Sequence, residues 1–138
     1  MLAVALLSPS CGNAVHDGEI ACQRRLIAVM DGTHVPPLPS GGPDLAAGFA
    51  AMSRGFEQMP LEGCSEEQRA RAAIMARVAR DLSNTAARIG DPRRQMEAMP
   101  SLQGREAVME LAAQIEQFER RRQALREDLD KMVRGSGE

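Results

Sequence analysis

Aromatic residues are almost absent from this chain of 138 residues, which has three Phe and neither Trp nor Tyr. The hydrophobic fraction is nevertheless 43%, which is enough to build one core. That core must be mainly aliphatic. The shortage of aromatic rings also removes the stacking surfaces on which single-stranded nucleic acids usually bind.

The chain also has no large excess of positive or negative charge. It contains 17 basic and 19 acidic residues, which gives a net charge of -2. Lysine is nearly absent, with Lys131 as the single example. A near-neutral chain lacks the concentrated positive field that nucleic-acid binding requires. We therefore expect no nucleic-acid partner and instead expect a protein partner or self-association.

The short motifs of common catalytic and metal sites do not occur. The chain has no HExxH, no glycine-rich phosphate loop, no GxSxG, no CxxC and no Glu-x-x-His. A nucleophilic pair could be drawn from His16 or His34 with Cys22 or Cys64, but so small a set arises readily by chance. The sequence therefore predicts a non-enzymatic protein with no catalytic residues, no cofactor and no metal site.

Nine methionines are the remaining candidates for a soft metal site. Met96 and Met99 lie close together in Gln-Met-Glu-Ala-Met-Pro, and their thioether sulfurs could hold Cu(I). Methionine at helical spacing is more often a core residue. We therefore expect core packing, with metal binding as an alternative, for the methionines on apolar stripes: Met52, Met75, Met109 and Met132.

The N terminus begins with an uncharged apolar run, from Leu2 to Leu7, that is too short to cross a bilayer. It suits an export signal, and the small residues that follow it offer a signal-peptidase site. Residues 1–14 are therefore predicted to be an export signal with an incomplete start, since no basic residue precedes the run. Alternatively, the run is the beginning of a buried helix.

Three cysteines, Cys11, Cys22 and Cys64, make an odd number. If Cys11 is removed by export, or lipidated in a lipoprotein, a Cys22–Cys64 disulfide is predicted. It would close a loop of about 40 residues and contribute about 3 to 4 kcal/mol by loop-closure entropy. Three unrelated buried thiols in a cytoplasmic protein are the alternative. We expect a periplasmic or secreted protein that meets a membrane only through a lipidated Cys11 or a retained N-terminal segment.

An all-α fold is predicted, because helix-forming residues dominate and β-branched residues never alternate with polar ones over a strand's length. We expect a single helical domain over residues 15–134, a small bundle with one long amphipathic C-terminal helix, and a disordered tail at 135–138. The predicted helices cover about residues 15–30, 44–59, 65–89 and 102–134, with a Pro/Gly-rich linker at 33–43 and a short turn from Asp91 to Met99.

Ser65 and Gln68 form a capping box that predicts the start of the third helix. This start, Cys64-Ser65-Glu66-Glu67-Gln68, resembles the Leu-Thr-x-x-Gln helix start of exported helical-hairpin proteins of the CpxP and Spy type in its capping residue and its Gln. The shared part is a common capping box, so it implies no membership. The resemblance implies a chaperone or sensor role as an alternative function.

The C-terminal helix has the clearest periodicity, with apolar residues spaced alternately by 3 and 4 from Val108 to Met132 and one charged interruption, Arg122. Either other helices cover this seam and Arg122 lies at the bundle edge, or the helix projects and pairs with another chain. The residues predicted to face a partner are Ile115, Phe118, Arg122, Leu125 and Leu129.

The sequence therefore predicts a non-enzymatic, exported helical protein of the cell envelope that acts as an interaction or structural component. The alternative is a periplasmic module that binds a ligand, a metal or an unfolded protein.

Overall fold

The computed structural model describes the backbone of residues 2–36, 42–89 and 102–136, and the side chains of 14–36, 43–89 and 105–135. This part of the chain contains no strand, so the predicted all-α fold is confirmed. It forms four helices: α1 (Leu2–Gly32), α2 (Gly42–Gln58), α3 (Glu66–Ile89) and α4 (Leu102–Ser136).

The boundaries of α2 and α3 lie within two residues of the predicted ones. α1 begins earlier than expected, at Leu2, so the backbone of the proposed export segment is helical. α4 extends through Gly135 and Ser136, which were expected in the tail. The predicted turn from Asp91 to Met99, the pair Met96 and Met99 within it, and linker residues 37–41 lie outside the described residues.

The helices run up, down, up and down. α2 and α3 make the most extensive pairing, an antiparallel hairpin connected by residues 59–65. Ser53 Oγ donates to Ala76 O at 2.7 Å, and Ser83 Oγ donates to Ala46 O at 2.7 Å. α4 is antiparallel to α1 and α3 and packs against both. The C-terminal helix thus packs against both α1 and the hairpin.

Two phenylalanines meet in the centre of a core that is otherwise aliphatic, as the composition predicts. The Phe49 and Phe118 rings lie edge to face, with centroids 5.9 Å apart and an interplanar angle of 85°. Through this contact, α4 packs against α2 of the hairpin. The aliphatic residues buried around it include Leu26, Leu45, Met75, Leu82, Leu111 and Leu125.

The methionines on apolar stripes divide between core and surface. Met52 and Met75 are buried, and Met132 is half-buried. Met109 is 70% exposed, so the expectation that it packs in the core is wrong. The reason is its position one residue after the buried Val108, which turns it about 100° away from the inward face of α4.

A close backbone contact brings α1 against the turn between α2 and α3. Gly63 has φ of +77°, and a Cβ on it would lie 3.0 Å from Gly18 Cα. A Cβ on Gly18 would in turn lie 3.1 Å from Gly63 Cα. Because glycine alone permits both the backbone angle and the short approach, this pair sets the spacing between α1 and the start of α3.

Candidate functional site

Cys22 and Cys64 lie at bonding distance, with sulfur atoms 2.05 Å apart and Cα atoms 5.2 Å apart. The predicted pair is therefore brought together, and it connects α1 to the residues just before α3. Arg25 supports the same junction, because its Nε donates to Pro60 O at 3.1 Å. The side chain of Cys11 is outside the described side chains, so its loss or lipidation stays a prediction.

The predicted capping box at the start of α3 is confirmed. Ser65 N donates to Gln68 Oε1 at 2.9 Å, and Gln68 N donates to Ser65 Oγ at 3.1 Å. The box satisfies two backbone donors that a helix N terminus otherwise leaves without partners.

Gln68 also belongs to a buried polar cluster beside the disulfide. Its Nε2 donates to Glu19 O at 2.7 Å and to Gln23 Oε1 at 3.3 Å. Gln23 Nε2 then donates to Leu125 O at 2.8 Å. Within the described residues, no buried side-chain nitrogen or oxygen lacks a hydrogen-bond partner. The cluster is therefore fully satisfied and acts structurally, by joining α1, α3 and α4 at one end of the bundle.

Most of the predicted seam of α4 faces the chain's own helices. Phe118 and Leu125 are each 2% exposed, and Ile115 and Leu129 are half-buried. α1 and α3 are the helices that pack against α4. Phe118 and Leu125 therefore have almost no surface left for a partner, because intramolecular packing already covers them.

Arg122, the charged residue of the seam, lies at the bundle edge with its side chain 33% exposed. Its Nη2 donates to Asp31 Oδ1 at 2.7 Å, and its Nη1 lies 3.4 Å from Glu119 Oε2. Arg126 Nη2 donates to both oxygens of Asp31, at 2.9 and 3.0 Å. The Asp31 carboxylate at the end of α1 thus forms ion pairs with two guanidinium groups of α4, those of Arg122 and Arg126.

Asp31 has a perturbed pKa because of this arrangement. Burial by itself raises the pKa of the carboxyl, but the hydrogen bonds and positive charges of Arg126 and Arg122 outweigh burial. The pKa of Asp31 therefore lies below its ordinary value, and the ion pair persists into mildly acidic solution.

A cavity of about 460 Å³ lies beside these ion pairs. α1 ends at Gly32, close to the level of Arg122, whereas α4 continues past that point towards its N terminus. The space that a longer α1 would fill between α2 and α4 is left open. The apolar residues that line it are Met30, Val35, Pro36, Leu45, Phe49, Met52, Ala112, Ile115 and Phe118.

The polar residues of the cavity are Asp31, Thr33, Glu116, Glu119 and Arg122. Three of these residues, Glu116, Glu119 and Arg122, lie on α4. They are spaced three residues apart, so their side chains follow one edge of the cavity. The seam was predicted from the sequence, but this cavity was not. No local pattern in the sequence signals the cavity, because it arises from the shift of α1 along α4, which becomes visible only once the alignment of the two helices is known.

Neither histidine lines the cavity. His16 Nε2 lies 2.9 Å from Met132 O, a hydrogen bond between α1 and α4, and His34 is exposed. Among the side chains that the structure describes, no group of three or more His, Cys, Asp or Glu could hold a metal ion. In the described helices, none combines the length and the apolar character needed to cross a bilayer.

Comparison with protein families, with curated proteins and with solved structures gives no match. Any function must therefore be inferred from the geometry of the chain itself.

Proposed function

We propose that this chain is a non-enzymatic helical protein of the cell envelope that acts by binding, and that the cavity between the end of α1, α2 and α4 is its binding site. The supporting observation is a space of about 460 Å³ with mainly apolar walls and a few charged groups at one edge. Sites for small ligands typically combine such a volume with apolar walls and a few placed polar groups.

The walls of the cavity are held in place by contacts at its charged edge and by the close approach of the chain after α1 to α2. The Asp31 ion pairs fix the end of α1 against α4. Gly48 allows the residues after α1 to approach α2 closely, because a Cβ there would lie 2.7 Å from His34 O. A preformed site loses less conformational entropy on binding, which favours affinity.

Export to an oxidising compartment is the second part of the proposal. It is supported by the apolar run at the N terminus and by the bonding distance between Cys22 and Cys64. Disulfides persist in the periplasm and outside the cell, whereas cytosolic thiols are kept reduced. The mature protein would then begin after residue 14 and act in the periplasm or in the medium.

Binding of a small ligand is favoured over a protein partner on the α4 seam, because Leu125 of that seam is buried within the chain and the open volume beside Ile115 and Phe118 belongs to the cavity. Self-association stays a prediction. Sedimentation at increasing protein concentration tests self-association. A chain that remains monomeric at all concentrations would exclude it.

Two neighbouring alanines allow a matched test of the cavity. Ala112 and Ala113 are both exposed on α4, but only Ala112 lines the cavity. We expect the neutral fluorescent probe N-phenyl-1-naphthylamine to bind the natural protein and the Ala113→Trp variant saturably, with about one site per chain. In Ala112→Trp, the indole ring occupies the space and the fluorescence increase is lost.

Helicity and thermal melting of the two variants provide the control for folding. Equal probe binding by Ala112→Trp and Ala113→Trp, with both variants folded, would exclude this cavity as the site.

A further inference from the structure

We infer that the ligand of this cavity is a small amphipathic cation, an apolar group that carries a protonated amine. The inference rests on the proposed function, because it assigns a ligand class to the same cavity. It follows from the division of the lining into an apolar floor and an edge where negative charge is available.

Those described residues that form the floor of the cavity are apolar and provide no hydrogen-bonding side chain. The apolar surface that a ligand would meet comes mainly from the half-buried Val35, Pro36 and Ile115, since Leu45, Phe49, Met52 and Phe118 also line the cavity but are at most 4% exposed. Such a surface gains from burying the apolar part of a ligand but would leave any polar group placed there without a partner. The polar group of a ligand must therefore lie at the charged edge.

In the part of the lining that the structure describes, the charged edge contains three carboxylates, Asp31, Glu116 and Glu119, and one guanidinium, Arg122; Arg126 and Arg120 bind Asp31 and Glu116 from beside it. The guanidinium is already engaged, because Arg122 donates to Asp31 at 2.7 Å through Nη2 and at 3.1 Å through Nε. An anionic ligand would have to displace Asp31 from Arg122 and would also meet two further carboxylates. The edge is therefore unfavourable for an anion.

Glu116 and Glu119 are the carboxylates that a ligand cation can reach. Their side chains are 68% and 56% exposed. Among the described side chains, Glu116 pairs with Arg120 at 3.1 Å and Glu119 pairs with Arg122 at 3.4 Å. Exposed pairs of this kind contribute little to stability, so an ammonium group can replace either guanidinium at small cost. Because the two glutamates are three residues apart on one helix, one cation can lie between them.

Three molecules with the same apolar chain test this assignment: octylamine, octanol and octanoate, each used to displace N-phenyl-1-naphthylamine at pH 7 and low ionic strength. We expect octylamine to displace the probe at a concentration about three- to fivefold lower than octanol, the ratio expected from one partly screened ion pair. Octanoate should require the highest concentration. Added salt should reduce the difference between amine and alcohol.

Glu119→Gln is the decisive variant, and Glu127→Gln is its control. Glu127 is exposed on the same helix and does not line the cavity. We expect Glu119→Gln to lower the preference for octylamine over octanol to below twofold, while the affinity for octanol stays within twofold of the natural protein. Glu127→Gln should keep the preference, and thermal melting should show both variants folded.

The possible outcomes separate the ligand class from the site itself. If octanoate displaces the probe as well as octylamine does, or Glu127→Gln lowers the preference as much as Glu119→Gln, the cationic assignment is overturned while binding in the cavity stands. If the probe and all three molecules fail to bind the folded protein, the proposed function is itself wrong.

Discussion

Asp31 at the end of α1 and Arg122 in the middle of α4 are 91 residues apart in the sequence and are joined by a hydrogen bond of 2.7 Å. Arg126 binds the same carboxylate from one turn further along α4. This junction closes the bundle at the level where α1 ends and the cavity begins. It therefore connects the stability of the fold to the shape of the candidate site.

Replacing Asp31→Asn removes the negative charge from both arginines. We expect the free energy of unfolding to fall by about 0.5 to 1 kcal/mol, a small loss because the ion pairs are partly exposed to solvent. Urea denaturation measures it. Asp130→Asn is the control, since Asp130 is exposed elsewhere on α4. Equal losses in the two variants would show that the junction has no special role.

The stabilisation by Asp31 should depend on pH. Its pKa is lowered in the folded chain, so the unfolded chain takes up the proton first as the pH falls. The stabilisation is complete above the unfolded pKa and is lost as the pH decreases through the folded value, below about pH 4. The difference in melting temperature between the natural protein and Asp31→Asn should be largest near pH 7 and should shrink near pH 3. A difference that stays constant over this range would contradict the assignment.

Gln68→Leu should destabilise the fold by about 1 to 3 kcal/mol, because it removes the side-chain half of a helix cap and takes a hydrogen-bond donor away from buried polar groups. Gln23 Oε1 loses its Gln68 donor, and Glu19 O loses the donor that it has in addition to the backbone hydrogen bonding of α1. Gln58→Leu is a suitable control, since Gln58 is exposed at the end of α2. Calorimetric melting of both variants gives the comparison, and a loss no larger than that of the control would show that the cluster is dispensable.

The Cys22–Cys64 bond should stabilise the fold by about 3 to 4 kcal/mol through loop-closure entropy. Changing both residues to alanine should therefore lower the urea midpoint strongly, and reduction of the natural protein should have a similar effect. A natural protein whose midpoint is the same with and without reductant would show that the bond does not form in solution.

The mass of the mature protein tests export. We expect the loss of the first 10 to 14 residues or an added lipid at Cys11. We also expect no thiol at Cys22 or Cys64 that can be alkylated without prior reduction. An intact Met1 together with three alkylatable cysteines would contradict both the compartment and the disulfide.

Features that depend on neighbours in the sequence were predicted correctly. The capping box of Ser65 and Gln68 needs only the fixed distance between residues three apart, and the ends of α2 and α3 follow from proline and capping residues. The start of α1 was placed too late, because Pro9 and Gly12 after the apolar run indicate a break between that run and the helix, whereas α1 continues through both residues. Met109 was misplaced because one residue along a helix changes the face by about 100°.

The sequence by itself determined the helical class and the aliphatic core, because composition and local spacing carry that information. It predicted the pairing of Cys22 with Cys64 only on the condition that Cys11 is lost or lipidated, and the tertiary structure places the two sulfur atoms at bonding distance. Only the tertiary structure decided which acid meets Arg122 and where the cavity lies. Both depend on how far α1 and α4 are shifted along each other. That shift is set by packing and close backbone contacts between distant segments, and no local pattern in the sequence records it.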